Sequence, residues 1–365
     1  MPLPAQVHRV VGLLCLACCA CSQCPEGSTP MEKIKQTQSK DSSSGLVNLV
    51  ASSDGLKLLT TTRDGYFVVW NSRNLKELSR AHGAPTPPLG MAWTTDNQWV
   101  AVTRGGSIAW DARRGKELFR HPLDLDLGVG AIDPNGSAAF GAAGPGAMVM
   151  IEPKTGKRKT LPPELGHEAV AAAFSPNQNH LALAVNSGNS DNVIIVDTNE
   201  MKKKTVIEHN QGRLSQLVYA QSGMMVATAG QDNEVRLWDT QSGSPRCSLK
   251  TALPVVGPIA FSGDTHRVAI SSSTHDRAGN TFKADEKPCP WGVSKGSMIQ
   301  VFDVQSAKEV SRSSLQSALC NALLFTHNAN GLFSADEDGT LSFWKLPLSP
   351  FVPLPNRISS TANEA

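Results

Sequence analysis

Val226–Asp239 reads VATAGQDNEVRLWD, two short runs around a polar turn. Val226–Ala229 and Val235–Trp238 hold the apolar and β-branched residues that suit strands, and Gln231, Asp232 and Asn233 supply turn chemistry. Alone, the stretch specifies a β-hairpin. The chain then writes it again. Tyr66–Trp70 (YFVVW) and Leu341–Trp344 (LSFW) end the same way, after Asp64–Gly65 and Asp338–Gly339. Weaker copies close at Trp110–Asp111, Ile151–Glu152, Val196–Asp197 and Phe302–Asp303.

The position of Trp238 therefore recurs at Trp70, Trp110, Ile151, Val196, Trp238, Phe302 and Trp344, in steps of 40, 41, 45, 42, 64 and 42 residues. A repeat of about 40–45 residues built only of strands predicts propeller blades. The expected fold is all-β: a seven-bladed β-propeller of four-stranded antiparallel blades. Although 365 residues would otherwise imply more than one domain, blades bury their faces against neighbours and form one unit. A formal charge of +2 gives no electrostatic case for nucleic acid. The basic runs, Lys157–Lys159 and Lys202–Lys204, read as solvated lysines that blunt sheet edges.

Five of the eight cysteines, Cys15, Cys18, Cys19, Cys21 and Cys24, crowd the N-terminus. Cys15, Cys18, Cys21 and Cys24 fall three apart and offer overlapping C-x-x-C pairs, but no second ligand-rich knuckle answers them. Val10–Ala20 (VVGLLCLACCA) follows His8 and Arg9 and is too short to span a bilayer. It fits the apolar region of a secretory signal peptide, with small residues Cys18 and Ala20 preceding a cut before Cys21. The run also resembles a bacterial lipoprotein signal, with Cys19 or Cys21 as the lipidated residue, although Leu16–Cys19 has cysteine where Gly or Ala is usual. Residues 1–24 are thus expected to be a signal or membrane-anchor segment, making the protein secreted or membrane-anchored; if they are not a signal, it is cytoplasmic. Cys247, Cys289 and Cys320 do not form a disulfide framework.

Residues 25–31 read as a linker, 32–346 as the propeller and 347–365 as a disordered Pro-rich tail. Because Pro347, Pro350, Pro353 and Pro355 follow Trp344, the last blade cannot grow its own outer strand. Glu32–Gln38 is the predicted replacement, an N-terminal strand that closes the ring and hides an edge.

These residues resemble the WD-repeat family of seven-bladed propellers over about 32–346. The resemblance rests on Asp64–Gly65 with Trp70, Asp232 with Trp238–Asp239, Asp338–Gly339 with Trp344, Trp110–Asp111, and Gly166–His167 before blade four. It implies a buried network in which Asp64, Asp232 and Asp338 are the turn aspartates, Thr228 a strand hydroxyl, and Trp70, Trp238 and Trp344 the tryptophans. In blade five His209 falls one place early, with Asn210 in the histidine slot, and blades three, four and six lack the tryptophan. The resemblance further implies a rigid scaffold that binds proteins over the face formed by the d–a and b–c loops.

The 64-residue step locates an insertion, 272–297, between strands b and c of blade six. Loops of that length usually carry function or are disordered. Within it, Asp285, Glu286, Lys287, His275 and above all Trp291 are the candidate partner-binding residues, since a loop aromatic suits an interface hot spot. Folding back to cap the blade or plug the channel would explain Trp291 equally. Asn186–Asn192 and His82–Pro88 are expected on the same face. Enzyme signatures are missing: no G-x-S-x-G occurs, and His167–Glu168 is followed by alanine at 171 rather than the second histidine of H-E-x-x-H. Gly141–Gly146 joins two strands and lacks a phosphate loop's helix. His266, His275 and Asp276 match no metal-ligand spacing. The expected function is a non-enzymatic protein-interaction scaffold, a monomeric propeller with no cofactor, metal or nucleic-acid partner. The alternatives are an enzyme or small-ligand receptor using the channel mouth, and an intracellular scaffold subunit.

Overall fold

The computed structural model describes residues 28–347 apart from 40–43, 84–85, 95–96, 145, 166–167, 178, 187, 189–190, 210–212, 231, 233, 276–295, 314–315 and 317. They form seven sheets, six of four strands and one of five. Each sheet is one blade, with strands a to d from the axis outward. The a strands stand side by side: Leu46–Ala51, Gly90–Trp93, Val129–Ile132, Ala169–Phe174, Leu214–Tyr219, Val255–Phe261 and Cys320–Phe325, the last against the first. The ring is closed, as the period predicted.

The recurring position has one structural meaning. Trp70 pairs with Leu58, Trp110 with Trp99, Ile151 with Ala139, Val196 with Leu181, Trp238 with Val226, Phe302 with Val268 and Trp344 with Leu332. It is the same place in the b–c ladder of every blade. Alternation along these strands sends apolar side chains to both faces, and each face meets a neighbouring blade. The buried apolar residues accordingly fall into seven clusters, one between each pair of adjacent blades.

Glu32–Gln38 lies antiparallel to Thr340–Lys345 as the outer strand of blade seven, the closure read from the sequence. One segment expected as linker is structured: Thr29–Pro30 adds a fifth strand to blade six, parallel to Glu309–Arg312. In other blades the c–d turn leans on the preceding blade's outer strand. Lys35 Nζ donates to Arg73 O at 2.8 Å, Ser79 Oγ to Ala112 O at 3.2 Å and Thr205 Oγ1 to Gln241 O at 3.1 Å. Blade seven has no c–d turn of its own, because its outer strand comes from the other end of the chain. Residues 29–31 fill that place: Ser311 Oγ donates to Thr29 O at 2.6 Å and Met31 N to Arg312 O at 2.8 Å.

The outer strand of blade one is Glu77–His82, and Leu75 sits in the turn before it with φ of 57°. One other boundary differs from expectation. Strand b of blade six runs on to Ser273, paired with Ser297, so part of the supposed insertion is ladder.

Candidate functional site

The tryptophan positions hold blades together. Trp70 Nε1 donates to Thr60 Oγ1 at 2.8 Å, Trp238 Nε1 to Thr228 Oγ1 at 2.8 Å and Trp344 Nε1 to Ser334 Oγ at 3.1 Å, all buried. The hydroxyl lies ten residues before the indole each time. In blade two that place is Val100, and Trp110 Nε1 is buried without a hydrogen-bond partner among the described residues. Thr228 was legible as the hydroxyl; Thr60 and Ser334 share its offset. Gly65 and Gly339 of the Asp-Gly turns take φ of 87° and 83°, which glycine adopts without strain.

The turn aspartates act locally. Asp338 Oδ1 accepts from Thr340 N at 2.9 Å, and Asp64 accepts from the Thr62 hydroxyl. Asp232 Oδ1 likewise accepts from Glu234 N at 3.4 Å, and its Oδ2 also pairs with Arg236 Nη1 at 2.6 Å. His209 is buried 5.9 Å, centroid to centroid, from the Trp238 ring, yet neither ring nitrogen has a hydrogen bond among the described residues. Burial and the Arg236 guanidinium hold it below the usual histidine range. The histidine is thus present in blade five, but the implied network stops at the Trp238–Thr228 bond. Gly166–His167 and Asn210 lie outside the described residues.

Strands a run from the face of the d–a and b–c loops into the channel. On that face a cavity of about 370 Å³ opens, lined by Ser215, Gln216, Val255–Pro258, Ser273, His275 and Leu319–Asn321. A second, about 190 Å³, lies deeper and shares Gln216, Pro258 and Asn321. The mouth is therefore bounded by blades five, six and seven, and irregularities of blade six coincide there. Its inner strand skips from Val256 to Ile259 in pairing with strand b, leaving Gly257 and Pro258 bulged toward the channel. Where the other inner strands bulge, a single residue is skipped. The b–c insertion leaves the same blade just beyond Ser273.

Among the described residues that line it, the mouth carries no Asp, Glu, Lys or Arg. Asn321 Nδ2 is committed to Leu46 O at 2.7 Å and Ser215 Oγ to Ala229 O at 3.2 Å. The Gln216 amide lines both cavities and makes no hydrogen bond among the described residues. Behind the wall, burial and the neighbouring Asp338 push the Asp336 carboxyl up to about 7. Burial, with Asp336 adding to it, raises the Cys320 thiol well above its ordinary value, so it stays protonated and a poor nucleophile. Such a surface suits recognition through uncharged hydrogen bonds and apolar contact.

Among the predicted site residues, His275 is 5% exposed and belongs to the cavity wall, not to an open loop surface. Asp285, Glu286, Lys287, Trp291, Cys19 and Cys21 lie outside the described residues. Sequence reading missed Gln216, Asn321 and the Gly257–Pro258 bulge, which carry no motif. Cys247 and Cys320 are free thiols; Cys289 lies outside the described residues. Among the described residues no cluster of His, Cys, Asp or Glu could hold a metal, and no helix is long and apolar enough to cross a membrane.

With this geometry in hand, comparison places the chain among known folds. Residues 201–239, from the outer strand of blade four through strand c of blade five, match the family model described as WD domain, G-beta repeat. The chain is 27% identical over 160 residues to Autophagy-related protein 16 of Arabidopsis thaliana, covering 38% of this chain and 31% of that protein. It is 23% identical over 181 residues to the small ribosomal subunit protein RACK1y of Oryza sativa subsp. japonica, covering 47% and 46%. It spans less than half the length of either relative. The structure resembles the crystal structure of the Cps50 (Swd1) β-propeller domain of Myceliophteria thermophila, with a TM-score of 0.69 and 14% identity, over 87% of this chain and 100% of that domain. At that identity the likeness speaks for the fold. The molecule is a seven-bladed β-propeller, with a match to the WD-repeat model over residues 201–239.

Proposed function

We propose that the protein is a non-enzymatic scaffold that binds a protein partner at the channel mouth between blades five, six and seven. The observation that carries this reading is the coincidence there of a cavity lined by residues of three blades without Asp, Glu, Lys or Arg among those described, a two-residue bulge at Gly257–Pro258 where other inner strands skip one residue, and the long b–c connection of blade six. The relatives add support, since one is named as a ribosomal subunit protein and so works within an assembly. A charged ligand entering this mouth would lose water without gaining a counterion among the lining residues. A peptide segment bringing main-chain amides and apolar side chains would not.

Ser215 is exposed and Gln216 half-buried, so lysine at both positions should leave the fold intact while placing charge in the mouth. Affinity capture with Ser215→Lys/Gln216→Lys should lose the partner held by the unaltered chain, with an unchanged melting temperature. Retention of that partner would sink the assignment. The polar lining of the larger cavity also supports a second reading, a receptor for a small uncharged ligand. Under it, the same substitutions would abolish a ligand-induced rise in Tm without any protein being captured.

The export or membrane tethering read from residues 1–24 is a separate proposal. Mass spectrometry of the mature protein should find Cys21 at the N-terminus, with or without lipid mass. An intact Met1 would favour the intracellular alternative.

A further inference from the structure

Three blades of the outer rim share a motif that two adjacent blades replace with a run of cations. The outer strands of blades one, two and six contain KELSR (76–80), KELFR (116–120) and KEVSR (308–312). The glutamate in each lies opposite the recurring position: Glu77 opposite Trp70, Glu117 opposite Trp110, Glu309 opposite Phe302. Residues three apart in a regular strand face opposite ways. Here a bulge at Leu78, Leu118 or Val310 resets the alternation and brings glutamate and arginine to one side. The carboxylate then receives a forked pair: Arg80 Nε and Nη2 at 3.2 and 3.1 Å, Arg120 Nε and Nη2 at 3.2 and 2.9 Å, and Arg312 in the same fashion. The bulged leucines point outward, Leu78 being 50% exposed.

In blades three and four the place of the glutamate is taken by Arg158, opposite Ile151, and Lys203, opposite Val196. Around them lie Lys154, Lys157, Lys159, Lys202 and Lys204, all exposed. Lys202 pairs with Glu200 at 3.3 Å, and Lys204 Nζ lies 2.9 Å from His180 Nε2. Lys154, Lys157, Arg158, Lys159 and Lys203 make no ion pair among the described residues. The acids of this sector, Glu152, Glu164, Asp197, Glu200 and Glu208, stand in turns and at strand ends, leaving the strands themselves uniformly basic. Blade seven also has a cation there, Lys33 opposite Trp344, but it donates to Gln316 Oε1 at 2.8 Å and lies over the Trp344 ring. Blade five has Pro245 there and is balanced by Arg246 on Asp239 at 2.5 Å and Arg236 on Glu234 at 2.9 Å.

We propose that the rim of blades three and four is a docking surface for an acidic segment of a partner protein. Its carboxylates take the place that Glu77, Glu117 and Glu309 hold on blades one, two and six. A carboxylate is the group that the rim already uses against its own cations, which selects this partner among anions. Among the described residues, the outer strands of blades three and four carry no Phe, Tyr or Trp on which a nucleic-acid base could stack. Val206 is its one exposed large apolar residue among those described, which leaves little to enter a lipid surface. This surface is distinct from the channel mouth, and either can fail without the other.

The test uses the full chain and a fluorescein-labelled peptide of alternating glutamate and threonine, read by anisotropy. Binding should weaken about tenfold or more in Arg158→Glu/Lys159→Glu/Lys203→Glu and fall as salt is raised. It should persist in Lys116→Glu/Lys308→Glu, which alters exposed lysines on balanced blades, and both variants should melt like the parent. The proposal is overturned if the parent does not bind the peptide, or if the triple variant binds it equally. It is also overturned if phosphatidylserine vesicles or oligothymidylate, and not the peptide, bind with sensitivity to the triple change.

Discussion

Deleting residues 1–38 should cost the propeller its stable closed ring, whereas deleting 1–27 should leave its melting temperature unchanged. The difference is eleven residues with three structural roles. Glu32–Gln38 forms the ladder to Thr340–Lys345, Met31 is buried in the cluster between blades six and seven, and Thr29–Pro30 fills the place of the missing turn. Lys33 also lies over the Trp344 ring at 4.7 Å and donates to Gln316 Oε1 at 2.8 Å. Without them Thr340–Lys345 becomes an unpaired edge beside exposed apolar surface, an invitation to association. Tm should fall by about 10 °C or more if the protein stays soluble, since each kcal/mol is worth a few degrees in a chain of this size. A peptide of residues 28–40 added in trans should recover part of the loss. Scanning calorimetry with light scattering reads both effects, and an unchanged melt on deleting 1–38 would show that the ring closes without this strand.

Trp70→Ala is the single substitution with the largest expected cost. Trp70 is almost wholly buried and packs with Leu58, Leu75 and Phe333, so its removal leaves a cavity between blades one and seven. Losses for tryptophan to alanine in cores are about 3–5 kcal/mol. Trp70→Phe retains most of the apolar packing but leaves the buried Thr60 hydroxyl without its donor, at about 1–3 kcal/mol. The same pair of changes at Ile151 or Val196 has no counterpart, because those blades lack the indole and stand on apolar packing alone. Denaturant unfolding should therefore rank Trp70→Ala below Trp70→Phe below the parent. Equal losses for the two variants would mean that the Trp70–Thr60 bond, and not packing, holds the blade.

The blade count and the closing strand were legible because both depend on local, repeated signals: an apolar residue every forty or so positions, and prolines after Trp344 that forbid a last strand. Thr29–Pro30 left no such signal, since it is a two-residue parallel pairing with Ser311–Arg312 at the far end of the chain. The bounds of the outer strand of blade one were hidden for a related reason. A bulge at Leu78 shifts the alternation, and period-two reading assumes that no bulge exists. The channel mouth was hidden for a third reason. Gln216 and Asn321 look like stray polar residues in apolar strands until ring closure sets them on one cavity. His275 drew attention as part of a long loop, and the fold placed it in the wall of that cavity. The rim pairs were visible as K-E-x-x-R, yet only the bulge explains why residues three apart in a strand meet.

Photo-crosslinking from position 216 tests the central claim most directly. With Gln216→p-benzoylphenylalanine in the full chain, irradiation in the native cells should yield a discrete protein adduct that vanishes when Ser215 is also changed to lysine. The same probe at Leu56 or Met224, exposed in the a–b turns of the opposite face, should yield none. An adduct from Leu56 or Met224, with none from position 216, would contradict partner binding at the channel mouth.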